Sequence, residues 1–133
     1  MRYLLDTHIV LWILEDSDRI TPTVRAILDD ATNQFSVSHI TLMEIAIKQK
    51  IGKLPEFSYG AHQLVERLKN DNLILVPISI MHIQYFQNLP FFPEHRDPFD
   101  RFILSTALAE GFTVISADKN FKLYSDVVSL LAC

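Results

Sequence analysis

The sequence predicts a three-layer α/β/α fold built on a mostly parallel central sheet of four to five strands, and three observations lead there. Short β-rich runs alternate with helical stretches along the whole chain, the pattern of right-handed βαβ units whose sheet is covered on both faces. The composition, 49% hydrophobic and 21% charged over 133 residues, suffices to bury a core of ordinary domain size. No linker, internal repeat or low-complexity tract divides the chain, so residues 1–133 read as a single domain.

Arg2–Leu5 (RYLL) is an apolar run that stops at Asp6 and predicts the first strand, with Thr7–Leu14 helical behind it. Thr21 followed by Pro22 joins an N-cap to a residue pre-shaped for the first helical position, opening a helix to about Thr32. Gln34–Ser38 (QFSVS) is the second strand candidate. A helix from about Leu42 to Lys50 follows, with Ile45, Ile51 and Leu54 on its apolar side and Gly52 as its stop. Ala61–Asn70 is helical, Leu73–Val76 (LILV) reads as a buried strand, and Ile80–Asn88 returns to helix. Leu89–Arg96 (LPFFPEHR) holds two prolines and must be a loop. Pro98–Glu110 is helical, Gly111 ends it, Phe112–Ser116 (FTVIS) is a strand, and Val127–Leu131 adds a short last one.

Composition narrows the class of function. Lys and Arg number 12 against 16 Asp and Glu, a net charge of −4, so nucleic-acid binding has to come from a local patch or through a bound cation. One cysteine, Cys133, excludes an intramolecular disulfide and a cysteine-built zinc site, and fits a reducing cytoplasm. The N-terminal apolar run contains Asp6 and His8, unlike a signal peptide. No stretch approaches the roughly 18 apolar residues of a membrane span.

In open α/β sheets ligands bind beyond the carboxyl ends of the strands, and acids fall at those positions. Asp6 ends the first strand, Glu44 lies early in the helix after the second, Asp97 and Asp100 open the helix after the proline-rich loop, and Asp118 follows FTVIS. Each has a structural reading: Asp6 as a cap, Thr41 to Glu44 as a capping box, Asp97 as an N-cap with Asp100 favoured by the helix dipole, Asp118 in a turn. Their joint placement at one sheet edge demands more. Carboxylates that close repel one another unless some stay protonated or a cation joins them. Oxygen-only ligands, with no cysteine and no paired histidines at ligand spacing, select a hard ion such as Mg²⁺ or Mn²⁺, and such sites hydrolyse phosphodiesters.

The segments YLLDTHIVLWIL, MEIAIKQKIGKL, HRDPFDRFILSTALAEG and VISADKNF, in this order over most of the chain, resemble the PIN-domain ribonucleases and, more narrowly, the VapC-type toxins of bacterial toxin–antitoxin pairs. The resemblance implies a PIN-like domain and a metal-dependent endoribonuclease. It places the catalytic acids on Asp6, Glu44, Asp100 and Asp118. Asp6, Asp100 and Asp118 would bind Mg²⁺ or Mn²⁺, with Glu44 and Asp97 as further candidate ligands. It further implies an RNA substrate, a homodimer and a cognate antitoxin that inserts a basic side chain among the acids. Met43 and Ser105-Thr106 depart from the family pattern, where a Trp and Ala-Gln are usual.

Beside these acids, Lys48, Lys119 and Lys122 are candidates to steer RNA phosphates, while Arg67 and Lys69 complement a helix C-terminus. Arg101 is expected in a helix-surface ion pair. Trp12, Phe99, Phe102 and Phe112 are expected in the core, whereas Phe91 and Phe92 sit on a loop where both cannot be buried. Two other classes fit less well. A receiver-type signalling domain needs an adjacent acid pair at the first strand, and Asp6 is followed by Thr7-His8. A catalytically silent binding module with the same fold would have no use for the intact acid set.

Overall fold

In the computed structural model, which describes residues 1–133, the four strand candidates and the short last one all pair. They are β1 (Arg2–Leu5), β2 (Gln34–Ser38), β3 (Ile74–Val76), β4 (Thr113–Ser116) and β5 (Ser129–Ala132). Every pairing is parallel, in the order β3-β2-β1-β4-β5. The first strand in sequence is therefore the central one, in register Leu4↔Ser36 on one side and Leu4↔Val114 on the other.

Six helices connect the strands: α1 (Thr7–Leu14), α2 (Pro22–Asp29), α3 (His39–Lys50), α4 (Ala61–Asn70), α5 (Ile80–Asn88) and α6 (Pro98–Glu110). A short 3₁₀ helix, Lys119–Tyr124, lies between β4 and β5. Strand alternation divides the core. Tyr3 and Leu5 join Ile9, Val24, Ile45 and Leu68 in one apolar layer. Leu4, between them in sequence, joins Ile103, Leu104, Val114 and Tyr124 in the other. Both faces of the sheet are covered, as the alternation of strands and helices predicts.

The caps behave as physical chemistry requires. Thr21 accepts the Val24 N–H ahead of Pro22. Gly111, at φ 76°, adopts the left-handed conformation that ends α6, its N–H bonding Ala107 O at 2.8 Å.

The structure corrects several local expectations. The helix after β2 begins at His39, three residues before the predicted Leu42, because Ser38 rather than Thr41 caps it, accepting the Ile40 N–H at 3.1 Å. Thr41 and Glu44 are thus interior helical residues, and no capping box forms between them. Ile51 is 59% exposed instead of facing the core. The second helix stops at Asp29, and β3 is an edge strand whose residues are exposed or half-buried instead of a buried one. Phe102 and Phe112 are buried as expected, whereas Trp12 and Phe99 are only half-buried. No helix is long and apolar enough to cross a membrane.

Candidate active site

Asp6 follows directly on the central strand. Its N–H bonds Ile115 O at 3.0 Å, which extends the β1–β4 ladder by one residue and locks the backbone. Its buried carboxylate accepts the Thr7 N–H at 2.7 Å on one oxygen and the Ser116 hydroxyl at 2.8 Å on the other. Burial nonetheless pushes Asp6 up to about 6, against the lowering pull of Ser116 and Thr7. Ser116 Oγ also accepts the Asp118 N–H at 3.0 Å, so a single hydroxyl fixes two of the acids. Asp118 in turn caps the 3₁₀ helix through the Asn120 N–H at 2.8 Å.

Glu44 reaches the same edge from α3. Thr7 Oγ1 lies 2.6 Å from Glu44 Oε1 and 3.1 Å from Thr41 Oγ1. An ionised carboxylate only accepts, so the Thr7 hydrogen goes to Glu44 and Thr41 donates to Thr7. The second oxygen, Oε2, pairs with Lys48 Nζ at 3.0 Å, one helical turn on. Lys48, expected to steer phosphates, already neutralises a site acid.

The DPFD acids divide their work. Asp97 is exposed and caps α6, its Oδ1 accepting the Phe99 and Asp100 N–H groups at 2.8 and 3.3 Å. Asp100, one turn into the helix, faces inward. Burial and then the fields of Asp6, Asp97, Glu44 and Asp118 raise it to about 8. These acids therefore converge electrostatically on Asp100. The tightest set of donor atoms is His95, Asp100 and Asp118, all within 4.8 Å of one another. His95 is buried, and burial lowers its pKa, with Asp118 and Asp97 pulling the other way.

Arg101 does not form a surface ion pair. It is buried, it donates to Pro90 O at 2.9 Å, Leu89 O at 3.4 Å and the Tyr124 hydroxyl at 3.2 Å, and its guanidinium lies 5.5 Å from the Phe91 ring. It fastens the proline-rich loop to α6. On that loop Phe92 packs edge-on against Tyr124 while Phe91 stays 62% exposed. Lys119 and Lys122 are exposed beside Asp118 and rim a cleft of about 300 Å³ floored by β4 and β5. Ser105 and Thr106 are fully buried and bond back to the Arg101 and Phe102 carbonyls at 2.8 and 2.9 Å, so this departure from the family pattern faces the core.

Sequence reasoning did not single out Thr7, Thr41, Ser116 or Tyr124 as site residues. The adjacency of Thr7 to Asp6, and the four-residue step from Glu44 to Lys48, were the signals present for two of these contacts.

The family model for the PIN domain matches residues 3–127. The chain belongs to the PIN-domain family. PIN domains are generally nucleases, and in this one His95, Asp100 and Asp118 form a group that could hold a metal ion. Among solved structures, the PIN domain is similar to a chain of VapBC2 from Rickettsia felis bound to a DNA fragment from its promoter. The identity is 22% and the TM-score 0.68, over 99% of this chain and 98% of that one. It is also similar to VapBC-1 from nontypeable Haemophilus influenzae (17%, TM-score 0.64, 99% and 98% covered). A toxin–antitoxin complex from Klebsiella pneumoniae matches at 21% identity and TM-score 0.62, over 98% and 96%. No curated protein matches by sequence.

Proposed function

We propose that this PIN domain is a metal-dependent endoribonuclease and the toxin of a toxin–antitoxin pair. The observation that carries the reading is the charge trap at Asp100. Folding has buried a carboxylate within the field of four others and raised it to about 8, an arrangement that a bound cation offsets. The donor set is rich in oxygen and contains no sulfur, which fits Mg²⁺ or Mn²⁺. Asp6, Asp100 and Asp118 would hold the ion, with Glu44 beside them. When bound, such an ion lowers the pKa of water and stabilises charge on a departing phosphodiester oxygen.

The chain's own groups supply the rest. Glu44, oriented by Thr7 and Lys48, aligns and deprotonates the attacking water. Ser116 holds Asp6 and Asp118 at a fixed separation. Lys119 and Lys122, exposed at the rim, are placed to attract RNA phosphates. In-line attack leaves a 5′-phosphate and a 3′-hydroxyl. We expect Mn²⁺ at roughly 100 times its Kd to stabilise the protein by about 2.7 kcal/mol, read as a rise in Tm, and a labelled RNA to be cut only when a divalent ion is present. No Mn²⁺ response and no cleavage would leave a PIN-fold binding module instead.

The partner is a cognate antitoxin. Solved structures with this fold are described as a toxin–antitoxin complex and as a member of a family of toxin–antitoxin systems, and a carboxylate cluster suits capture by a guanidinium, which pairs with carboxylates through two parallel hydrogen bonds. The protein is also a homodimer. Met43 and Ile47 on α3, with Ile51 just past its end, form an exposed apolar line at helical spacing, and Ile80 and Ile83 stand exposed on α5. Both helices pack on α6, and exposed apolar area of this kind marks an interface. Replacing Ile47 with arginine is expected to convert the dimer to a monomer in light scattering. An unchanged mass would move the interface elsewhere.

A further inference from the structure

The nuclease reading uses four acids and leaves a buried row of polar groups beside them without a role. Arg101 Nη1 lies 3.2 Å from Tyr124 Oη, which lies 3.0 Å from His95 Nδ1, and His95 Nε2 lies 3.1 Å from Asp100 Oδ2. The three residues leading to Asp100 are 7%, 1% and 4% exposed, so water does not complete their hydrogen bonds.

The direction of each bond follows from donor chemistry. A guanidinium has no acceptor, so the Tyr124 oxygen accepts from Arg101. The Tyr124 hydrogen then has one acceptor in reach, His95 Nδ1. A neutral imidazole carries one hydrogen, which must therefore sit on Nε2 and point at Asp100. The anchor of the row is rigid: Arg101 also holds the Pro90 and Leu89 carbonyls, on the loop that carries His95.

We propose that His95 is a positioning residue for the metal site, its tautomer set by Arg101 through Tyr124 so that Nε2–H grips Asp100 Oδ2 and leaves Oδ1 for the cation. This rests on the nuclease reading. Asp100 is the acid most strongly repelled by its neighbours, and without a fixed donor its carboxylate would turn away from them toward solvent. The row supplies that donor without adding a formal charge at the site. Partners of this kind behind a metal ligand are worth about 10–100-fold in metal affinity.

His95 also packs edge-on against Phe121 and Tyr124 at 5.6 and 5.4 Å, so a purely structural role has to be separated from a positioning one. Long-range ¹H–¹⁵N spectra of the metal-free full chain are expected to place the His95 hydrogen on Nε2, and Tyr124→Phe is expected to give a tautomer mixture. Calorimetric titration with Mn²⁺ alone should show affinity reduced about 10–100-fold in His95→Ala. His95→Gln, whose amide N–H can donate to Asp100, should recover most of that loss. A hydrogen on Nδ1 in the parent protein would overturn the proposal. So would His95→Ala binding Mn²⁺ within twofold of the parent, or His95→Gln binding no better than His95→Ala. A parent protein that binds no Mn²⁺ would instead overturn the metal reading itself, and the proposal with it.

Discussion

Replacing Asp100 with asparagine is expected to make the metal-free protein more stable at pH 9, by about 2–5 kcal/mol. The raised acid sets the sign. Asp100 ionises near 3.8 when unfolded and near 8 when folded, so the unfolded chain gives up its proton first as pH rises. Below about 4 both states hold the proton and the stability due to this group is fully present. It then declines and is lost as pH passes through about 8. The side chain is only 16% exposed, so solvent screens little of the effect. Asparagine keeps the shape and an oxygen for His95 Nε2–H while removing the charge, and its absence also relieves Asp6. Urea unfolding in EDTA at pH 4, 7 and 9 should show the parent weakening as pH rises and the variant much less so. Parallel pH profiles would mean that Asp100 is not trapped among its neighbours.

Asp6→Asn is expected to lower RNA cleavage about 1,000-fold or more while leaving the fold intact. Charge stabilisation by a properly held metal ion is worth several kcal/mol, and each 1.36 kcal/mol is tenfold in rate. The fold should survive for a local reason. Thr7 N–H and Ser116 Oγ both donate to Asp6, and an amide keeps one of those bonds while no longer burying a charge. Gel-based cleavage of a labelled RNA at saturating Mn²⁺, with circular dichroism on the same samples, separates loss of chemistry from loss of structure. A variant as active as the parent would refute the assignment of Asp6 to the metal site.

The two variants differ because the acids differ in how they are held. Asp6 is clamped by two donors at the end of the central strand, whereas Asp100 is opposed by burial and then by like charge, and is held by one imidazole. That difference was not legible in the sequence. What was legible were the strands, since RYLL, QFSVS and FTVIS are short β-rich runs between helical stretches, and the sheet edge on which acids would gather. Local hydrogen-bond competition was not legible. Ser38 and Thr41 are equally good caps on paper, and Ser38 prevails because β2 runs straight into the helix, leaving Thr41 to support Thr7. Arg101 illustrates the same limit: its neighbours in sequence suggest a surface, but the proline-rich loop folds over it and offers carbonyls. Side chains whose partners come from a distant loop give no periodic signal.

The central position of β1 bears on how the protein is made. Asp6 and the hydroxyl that clamps it, Ser116, are 110 residues apart, and they meet only when β4 docks alongside the first strand. During synthesis the N-terminal strand and its acid leave the ribosome long before their partner exists. Contacts of such long range form late and slowly. Until then the carboxylates are separate, hydrated groups, and the site proposed for the metal is not assembled. On the proposed reading, the nuclease site is thus absent from the growing chain and is assembled in one late docking event.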